Sequence, residues 1–111
     1  MIMEIKTFPF QTIDWAGIVA EVHAGTTGTA TWKISRMGET RIRLVEYSAN
    51  YFADHWCNKG HIIYCISGGM ITELEDGRQF TLSQGMTYLV GDNSNAHRSR
   101  SVNGCILFIV D

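Results

Sequence analysis

Two histidines and a cysteine stand close together in the chain in the pattern His-x-Cys-x-x-x-His, formed by His55, Cys57 and His61. Imidazole and thiolate are borderline-soft donors, which suit zinc, iron, nickel or copper better than magnesium or calcium. A further imidazole, His97, follows much later in the chain. If the fold brings His97 beside the first three residues, the four side chains form a metal pocket, although they do not specify a substrate.

Three interpretations of Cys57 stay open: a metal ligand, a thiol that faces a substrate, or an inert residue. A neighbouring imidazole, from His55 or His61, lowers the pKa of a thiol and makes it a candidate nucleophile. The sequence does not identify the third group that would orient such a histidine. Asp54 is expected to form a turn or a strand edge, and the alternative is that its carboxylate accepts a hydrogen bond from an imidazole.

Composition restricts the setting. The 111 residues are enough for one domain and one core. With 45% hydrophobic residues and a net charge of -2, the chain lacks the basic excess of nucleic-acid-binding proteins. No apolar run approaches the length of a membrane span, so we expect neither a nucleic-acid nor a membrane partner and a cytoplasmic location. The odd, scattered cysteines (Cys57, Cys65 and Cys105) predict reduced thiols.

Short apolar or alternating segments separated by turn residues dominate the chain, and this spacing predicts an all-β sandwich or barrel. In the last three-quarters of the chain the predicted strands are residues 29–35, 41–47, 61–67, 70–75, 78–82, 86–90, 96–101 and 105–110. The first and second of these form a hairpin. Gly68-Gly69 is expected to close the apolar strand before it, and Asp76-Gly77 predicts a tight type I′ turn. We predict one domain, with residues 1–28 as an N-terminal arm and loop and residues 29–111 as the barrel.

The spacing of these residues resembles the two motifs of the cupin superfamily. The first cupin motif, His-x-His, three or four residues, Glu, six residues and Gly, resembles the run from His55 to Gly68. The second motif, Gly, five residues, Pro-x-Gly, two residues and His, resembles the run from Gly85 to His97, with one inserted residue and no proline. More narrowly, Ala53-Asp54-His55-Trp56-Cys57 and the surrounding sequence resemble the small DHCW-motif cupin-fold proteins. The resemblance implies a jelly roll, or double-stranded β-helix, around a pocket.

The same resemblance implies the ligand set. His55 and Cys57 take the places of the two histidines of the first motif, His61 takes that of the glutamate, and His97 takes that of the histidine in the second motif. Replacing the carboxylate by imidazole and one imidazole by sulfur shifts the preference from manganese and magnesium toward zinc, iron, nickel or copper. We therefore predict one divalent transition metal ion bound by these four residues.

Two classes of function remain open. In the first, the metal polarises a small organic acid or activates water or dioxygen, as in an oxygenase, isomerase or hydrolase. In the second, the barrel only binds a small molecule or the ion, as a sensor or store. A third alternative is a degenerate cupin without metal. Arg43, Tyr47 and Tyr88 are candidates for lining the pocket and orienting an anionic small molecule. A solvated arginine and packed tyrosines are the alternative.

Apolar residues near the start of the chain have no assigned place in the predicted barrel. Because small barrels with exposed strand edges often associate, these residues predict a homodimer formed through an interface or a swapped strand. They are Ile2, Met3, Phe8, Phe10 and Trp15.

Overall fold

A computed structural model describes residues 8–111 and consists almost entirely of strands. A single 3-10 turn, Trp15–Gly17, precedes them. Within residues 8–111 no helix is long or apolar enough to cross a membrane. The strands are β1 Glu21–Ala24, β2 Thr29–Met37, β3 Thr40–Tyr47, β4 Tyr51–Phe52, β5 His61–Leu74, β6 Gln79–Ser83, β7 Thr87–Val90, β8 His97–Ser101 and β9 Cys105–Val110.

All strand pairs are antiparallel and form two sheets that share β5. The first sheet has the order β1-β2-β3-β9-β5-β7, and the second has the order β4-β8-β5-β6. The first half of β5 pairs with β7 and β9, whereas its second half pairs with β6 and β8. The curled sheets close around one interior, as predicted for a jelly roll.

The strand β5 runs through the point where Gly68-Gly69 is expected to close it, so that prediction is wrong. The register against β9 shifts between Cys65 and Ser67, and Gly68 has a φ of 75°. A side chain on Gly68 would lie 2.9 Å from the Cα of Cys105. Glycine therefore lets one long strand bend from the first sheet into the second without ending.

Both predicted hairpins are present, but one turn differs from its prediction. Gly77 has a φ of 96°, whereas Asp76 is not among the described residues with positive φ. The Gly77 N–H donates to the Leu74 carbonyl at 3.0 Å, and the Leu74 N–H donates to the Arg78 carbonyl at 2.8 Å. These bonds define a three-residue loop with glycine in the left-handed position, so the type I′ prediction is wrong. The Asp76 carboxylate accepts from the Arg78 N–H at 3.1 Å and stabilises this loop.

Residues 8–28 contain one strand that the sequence pattern did not predict. Glu21–Ala24 pairs with β2 at the edge of the first sheet. Of the apolar residues expected at an interface, Phe10 is 95% exposed, Phe8 is exposed and Trp15 is half-buried. Ile2 and Met3 lie outside the described residues.

The interior between the sheets changes character along its length. Its apolar part is formed by eight buried residues, which are Val45, Ile63, Cys65, Met70, Leu82, Cys105, Leu107 and Ile109. Next to this core, four polar side chains are equally buried, namely Arg43, His61, His97 and Asp111. Since buried polar groups are costly unless they are paired, this end of the barrel is the place to look for a functional site.

Candidate metal centre

Three of the four predicted ligands converge inside the barrel. The donor atoms of Cys57, His61 and His97 lie within 4.8 Å of one another. Both histidines are buried and the cysteine is half-buried. Zinc–nitrogen bonds of about 2.05 Å and zinc–sulfur bonds of about 2.3 Å place tetrahedral donors roughly 3.6 Å apart. The donor spacing of the cluster therefore suits one ion after small adjustments.

The strand pairing explains how these residues meet. Cys57 forms an isolated antiparallel bridge with His97, with backbone N···O distances of 2.7 and 3.0 Å in the two directions, so their side chains share a face. His61 is the first residue of β5 and points into the barrel. The preceding residue, Gly60, lies very close to the end of β7. A Cβ atom at this position would be only 2.7 Å from the Asp92 nitrogen. Because glycine has no Cβ, the chain can pass this close to β7 and place His61 at the cluster.

Asp111 fixes the orientation of His61. Its Oδ2 lies 2.9 Å from His61 Nδ1 and accepts from Arg43 Nη2 at 2.7 Å, while Arg41 donates to both carboxylate oxygens at 2.9 and 3.1 Å. Burial would raise the pKa of Asp111, but the His61 hydrogen bond and the two guanidinium groups hold it well below its usual range. An ionised carboxylate only accepts, so the proton lies on Nδ1 of His61 and its Nε2 faces Cys57 Sγ at 3.4 Å.

The His97 ring is held in the same manner from the opposite side. Its Nδ1 donates to the Asn95 carbonyl at 2.8 Å, because a carbonyl oxygen can only accept. Its Nε2 is buried and has no hydrogen-bond partner in the part of the chain that the structure describes. The ring is nearly perpendicular to that of His61, with centroids 5.1 Å apart. An orphaned imidazole lone pair beside a thiol is the arrangement that a metal ion would satisfy, so these residues fit the ion that the cupin resemblance implies.

The cluster also favours the thiolate form of its cysteine. Partial burial would raise the pKa of the Cys57 thiol, but the contact with the His61 imidazole and the Lys59 backbone N–H outweigh burial and lower the pKa to about 5. Burial would lower the pKa of His61, and the hydrogen bonds to Asp111 and Cys57 raise it instead. The thiolate is the form of cysteine that binds metals.

His55, the fourth predicted ligand, lies outside this cluster. Its side chain is 76% exposed, and its Nδ1 is 2.6 Å from Asp54 Oδ1. Asp54 and His55 form a bend in the chain, so the alternation of an extended strand does not carry from His55 to Cys57. Asp54 thus lies in a bend, and its carboxylate also contacts an imidazole, but that imidazole belongs to His55, which is outside the cluster.

No protein-family model matches the chain, and no curated protein matches it. Solved structures do match. A predicted oxalate decarboxylase from Thermotoga maritima superposes with a TM-score of 0.76 and 11% identity, over 90% of this chain and 96% of that chain. A sugar phosphate isomerase of the cupin superfamily from Silicibacter pomeroyi superposes with a TM-score of 0.67 and 11% identity, over 90% and 74% of the two chains. The chain is a small cupin-fold protein.

A protein from Neisseria meningitidis is more similar in sequence, at 26% identity over 71% of this cupin and 79% of that chain, with a TM-score of 0.59. The activities named for the first two structures belong to those proteins. What they establish for this cupin is its fold.

A cavity of about 270 Å³ lies over the cluster and is lined by Cys57, His61 and His97. All three residues predicted as candidates for its lining, Arg43, Tyr47 and Tyr88, lie in its wall, and His55 borders it as well. Arg43 is only 5% exposed. Trp32 and Tyr51 add further aromatic surface to the cavity wall. The candidate metal cluster is therefore reached through a cavity with aromatic walls that is large enough for a small molecule.

Asp111 is the important residue that the sequence reasoning missed. Its partner His61 is far away in sequence, and only the pairing of β9 with the start of β5 places the two together. One local signal exists: in β9, Cys105, Leu107 and Ile109 point inward, and Asp111 continues this alternation. A carboxylate at an inward position of an apolar strand indicates a buried partner.

Proposed function

We propose that this cupin is a metal-dependent enzyme for a small molecule, in which Cys57, His61 and His97 hold one divalent transition metal ion. The observation that carries the proposal is the outward bonding of both imidazoles. Each Nδ1 is tied to an oxygen acceptor, on Asp111 or Asn95, and each Nε2 is left to face the centre of the cluster. Outer hydrogen bonds of this kind orient the ligands of protein metal sites.

The donor set limits the metal and the type of site. Two imidazoles and one thiolate favour zinc, iron, nickel or copper. Three protein ligands with a position left for water or substrate are typical of catalytic sites, whereas structural zinc sites have four protein ligands. A metal ion bound here would supply Lewis acidity or activate water or dioxygen, the chemistry of a hydrolase, isomerase or oxygenase.

The chain's own residues provide the rest of the site. Asp111 holds His61 in the tautomer that presents Nε2, and the Asn95 carbonyl does the same for His97. Burial raises the pKa of Tyr88 and of Tyr47 well above the usual phenol value, so both hydroxyl groups stay protonated at neutral pH. Protonated phenols in the cavity wall can donate hydrogen bonds to an oxygen atom of a bound molecule.

Element-resolved metal analysis of protein purified without chelators tests the proposal. We expect about one transition metal ion per chain, and cobalt substitution should give a thiolate charge-transfer band that disappears in Cys57→Ser. Proton relaxation should detect an exchangeable water on the cobalt. A protein that carries no metal and takes none up on reconstitution contradicts the proposal; a bound ion without exchangeable water favours the alternative of a storage or sensor cupin.

A second candidate function rests on the alignment of Asp111, His61 and Cys57. Asp111 is the orienting third group that a cysteine nucleophile needs. Its Oδ2 lies 2.9 Å from His61 Nδ1, and His61 Nε2 lies 3.4 Å from Cys57 Sγ. In a metal-free protein, Cys57 sulfur would bond to an electrophilic carbon. The bond to the leaving group would break with its electron pair, and the leaving group would take the proton from His61. Covalent labelling that is blocked by bound zinc distinguishes this function from the first.

We propose a reducing, cytoplasmic setting because Cys57, Cys65 and Cys105 are all free, and oxidation of Cys57 would remove a ligand.

We also propose a homodimer. Support comes from the outer face of the first sheet, where Ile62, Tyr64 and Leu89 are 40%, 43% and 71% exposed and lie side by side. A contiguous apolar sheet face of this kind is unusual on a monomer and fits a second copy. A light-scattering mass of one 12.5 kDa chain at high micromolar concentration would refute the dimer.

A further inference from the structure

We infer that the cavity binds a small carboxylate ligand, whose carboxylate group is received by the guanidinium of Arg43 beside the metal position. This inference deepens the proposed function and rests on it for the location of the site. It names the chemical class of the substrate, which neither the fold nor the donor set specifies.

The charged side chains that line the cavity are mostly cationic. The whole chain has 9 lysine and arginine residues and 11 aspartate and glutamate residues. Among the described residues that line the cavity, four are cationic (Arg41, Arg43, Lys59 and Arg98), none is a carboxylate, and the Cys57 thiolate is the one negative charge. The lining of this cavity is therefore positively charged, although the whole chain has a net charge of -2. A cleft of this kind attracts and retains anions.

The buried carboxylate behind the wall does not balance the two arginines nearest to the cluster. Arg41 donates two hydrogen bonds to the Asp111 carboxylate, and Asp111 Oδ2 also accepts from His61 Nδ1 and from Arg43 Nη2. Two guanidinium groups therefore share one carboxylate. The Nε of Arg43 is buried and has no hydrogen-bond partner among residues 8–111. A buried guanidinium donor without an acceptor is costly, and a ligand oxygen would satisfy it.

Packing holds the Arg43 guanidinium in place for this task. It lies over the Trp32 ring, 4.6 Å from the ring centroid, and the residue is 5% exposed. A planar guanidinium that is stacked and anchored on one edge recognises a planar carboxylate with little loss of side-chain entropy.

Size and lining favour a ligand with a flat, compact body. The cavity of about 270 Å³ corresponds to about nine water molecules at about 30 Å³ each. Tyr47 and Tyr51 stack in its wall with ring centroids 4.1 Å apart. A carboxylate on a small unsaturated or aromatic body would place its charge on Arg43 and its body against these rings.

Three probes of similar shape test the inference: benzoate, its neutral analogue benzamide, and phenylphosphonate. Their affinities are measured by calorimetry for the zinc-loaded and the metal-stripped protein. We expect benzoate to bind at least about tenfold more tightly than benzamide, since hydrogen bonds to a charged group exceed neutral ones by about that factor. Equal binding of benzoate and benzamide overturns the inference, and preferred binding of phenylphosphonate overturns the assignment to carboxylates.

Matched variants locate the recognition. Arg43→Lys keeps the charge but removes the planar fork, and it should reduce the preference for benzoate by about tenfold. Arg100→Lys makes the same change in β8, outside the cavity lining, and should leave the preference intact. A preference that survives in Arg43→Lys overturns the role of Arg43. Metal content is measured in parallel: a protein without metal that still prefers benzoate refutes the proposed function alone, and a metal-loaded protein without the preference refutes this inference alone.

Discussion

The two ends of the barrel interior are built from the same three strands, yet they have opposite chemistry. On β3 the inward residues change from Arg43 to Val45, and on β5 they change from His61 to Ile63. On β9 the apolar run is continued by the inward carboxylate of Asp111. The antiparallel register aligns these changes at one edge, so one end is polar and the other is apolar.

The pKa values of the cysteine thiols show the difference between the two ends most directly. At the polar end, imidazoles lower the pKa of Cys57 to about 5 despite its partial burial. At the apolar end, burial raises the pKa of Cys105 to about 11, and it also raises that of Cys65. The same side chain is thus a thiolate suited to binding a metal at one end and a small apolar residue of the core at the other. In this cupin the neighbours decide the role of a cysteine.

Removal of a metal ligand should have the largest effect, and it should be confined to the polar end. His61→Ala and His97→Ala each delete an imidazole donor, so we expect metal affinity to fall by more than about 100-fold, beyond the range of outer-shell changes. His55→Ala is the matched control. Its imidazole is exposed and bonded to Asp54, so affinity should change by less than about threefold. Competition with a metal-binding dye measures all three.

A large loss of affinity in His55→Ala would show that His55 swings in as a fourth ligand, as the cupin motif spacing predicts. The site would then have a closed shell.

At the apolar end, Leu107→Ala should cost stability without affecting the metal. Leu107 is fully buried between Val45 and Cys65, so the truncation should lower the free energy of unfolding by about 2–5 kcal/mol. Val102→Ala truncates a side chain that is 63% exposed and lies outside the proposed dimer face, and it should change the free energy of unfolding by less than about 0.5 kcal/mol. Urea unfolding of the metal-free protein measures both. Equal costs would contradict the division into two ends.

Much of this division could be predicted from the sequence because it follows short-range rules. The period of two in β3 places Arg43, Val45 and Tyr47 on one face, and the structure has them there. The hairpins and the last strand follow from turn residues and apolar runs. The spacing of Cys57, His61 and His97 was enough to propose a shared site.

The remainder depends on local bends and on sheet register, which leave weak signals in a single sequence. The bend at Asp54 and His55 breaks the alternation on which the motif comparison relies. Asp111 meets His61 only through the pairing of Val110 with Ile62 in the assembled sheet. The orienting carboxylate is therefore the part of the site that a motif search misses.

Asp111→Asn tests this long-range contact and should have an intermediate effect. The amide keeps the size of the side chain but loses the charge that Arg41, Arg43 and His61 share. We expect a drop in metal affinity of about 10- to 100-fold, as for other partners of ligating histidines. Glu73→Gln is the control, since Glu73 pairs with Arg98 and does not contact the cluster; its affinity should match the wild type. Identical affinities for both variants would remove Asp111 from the metal site.

The smallest perturbation is a change of pH in the metal-stripped protein, which titrates the thiols without altering any residue. Because the thiolate is the reactive form, iodoacetamide should label Cys57 with a half-maximal rate constant near pH 5, whereas Cys105, which is buried and has its pKa raised to about 11, should stay unlabelled in the folded protein. The pKa of Cys57 is depressed from its ordinary 9.0, so its contribution to folding is complete above that value and is lost as the pH falls through about 5. The raised pKa of His61 acts in the opposite direction: its contribution is complete below its ordinary pKa and is lost as the pH rises through the raised value. The ion pair therefore stabilises the metal-free fold most between these limits.

Zinc should suppress labelling of Cys57 only, because it occupies the sulfur. Labelling of Cys57 with a midpoint near 9, or equal labelling of Cys57 and Cys105, would mean that the two ends do not differ in the way their neighbours predict.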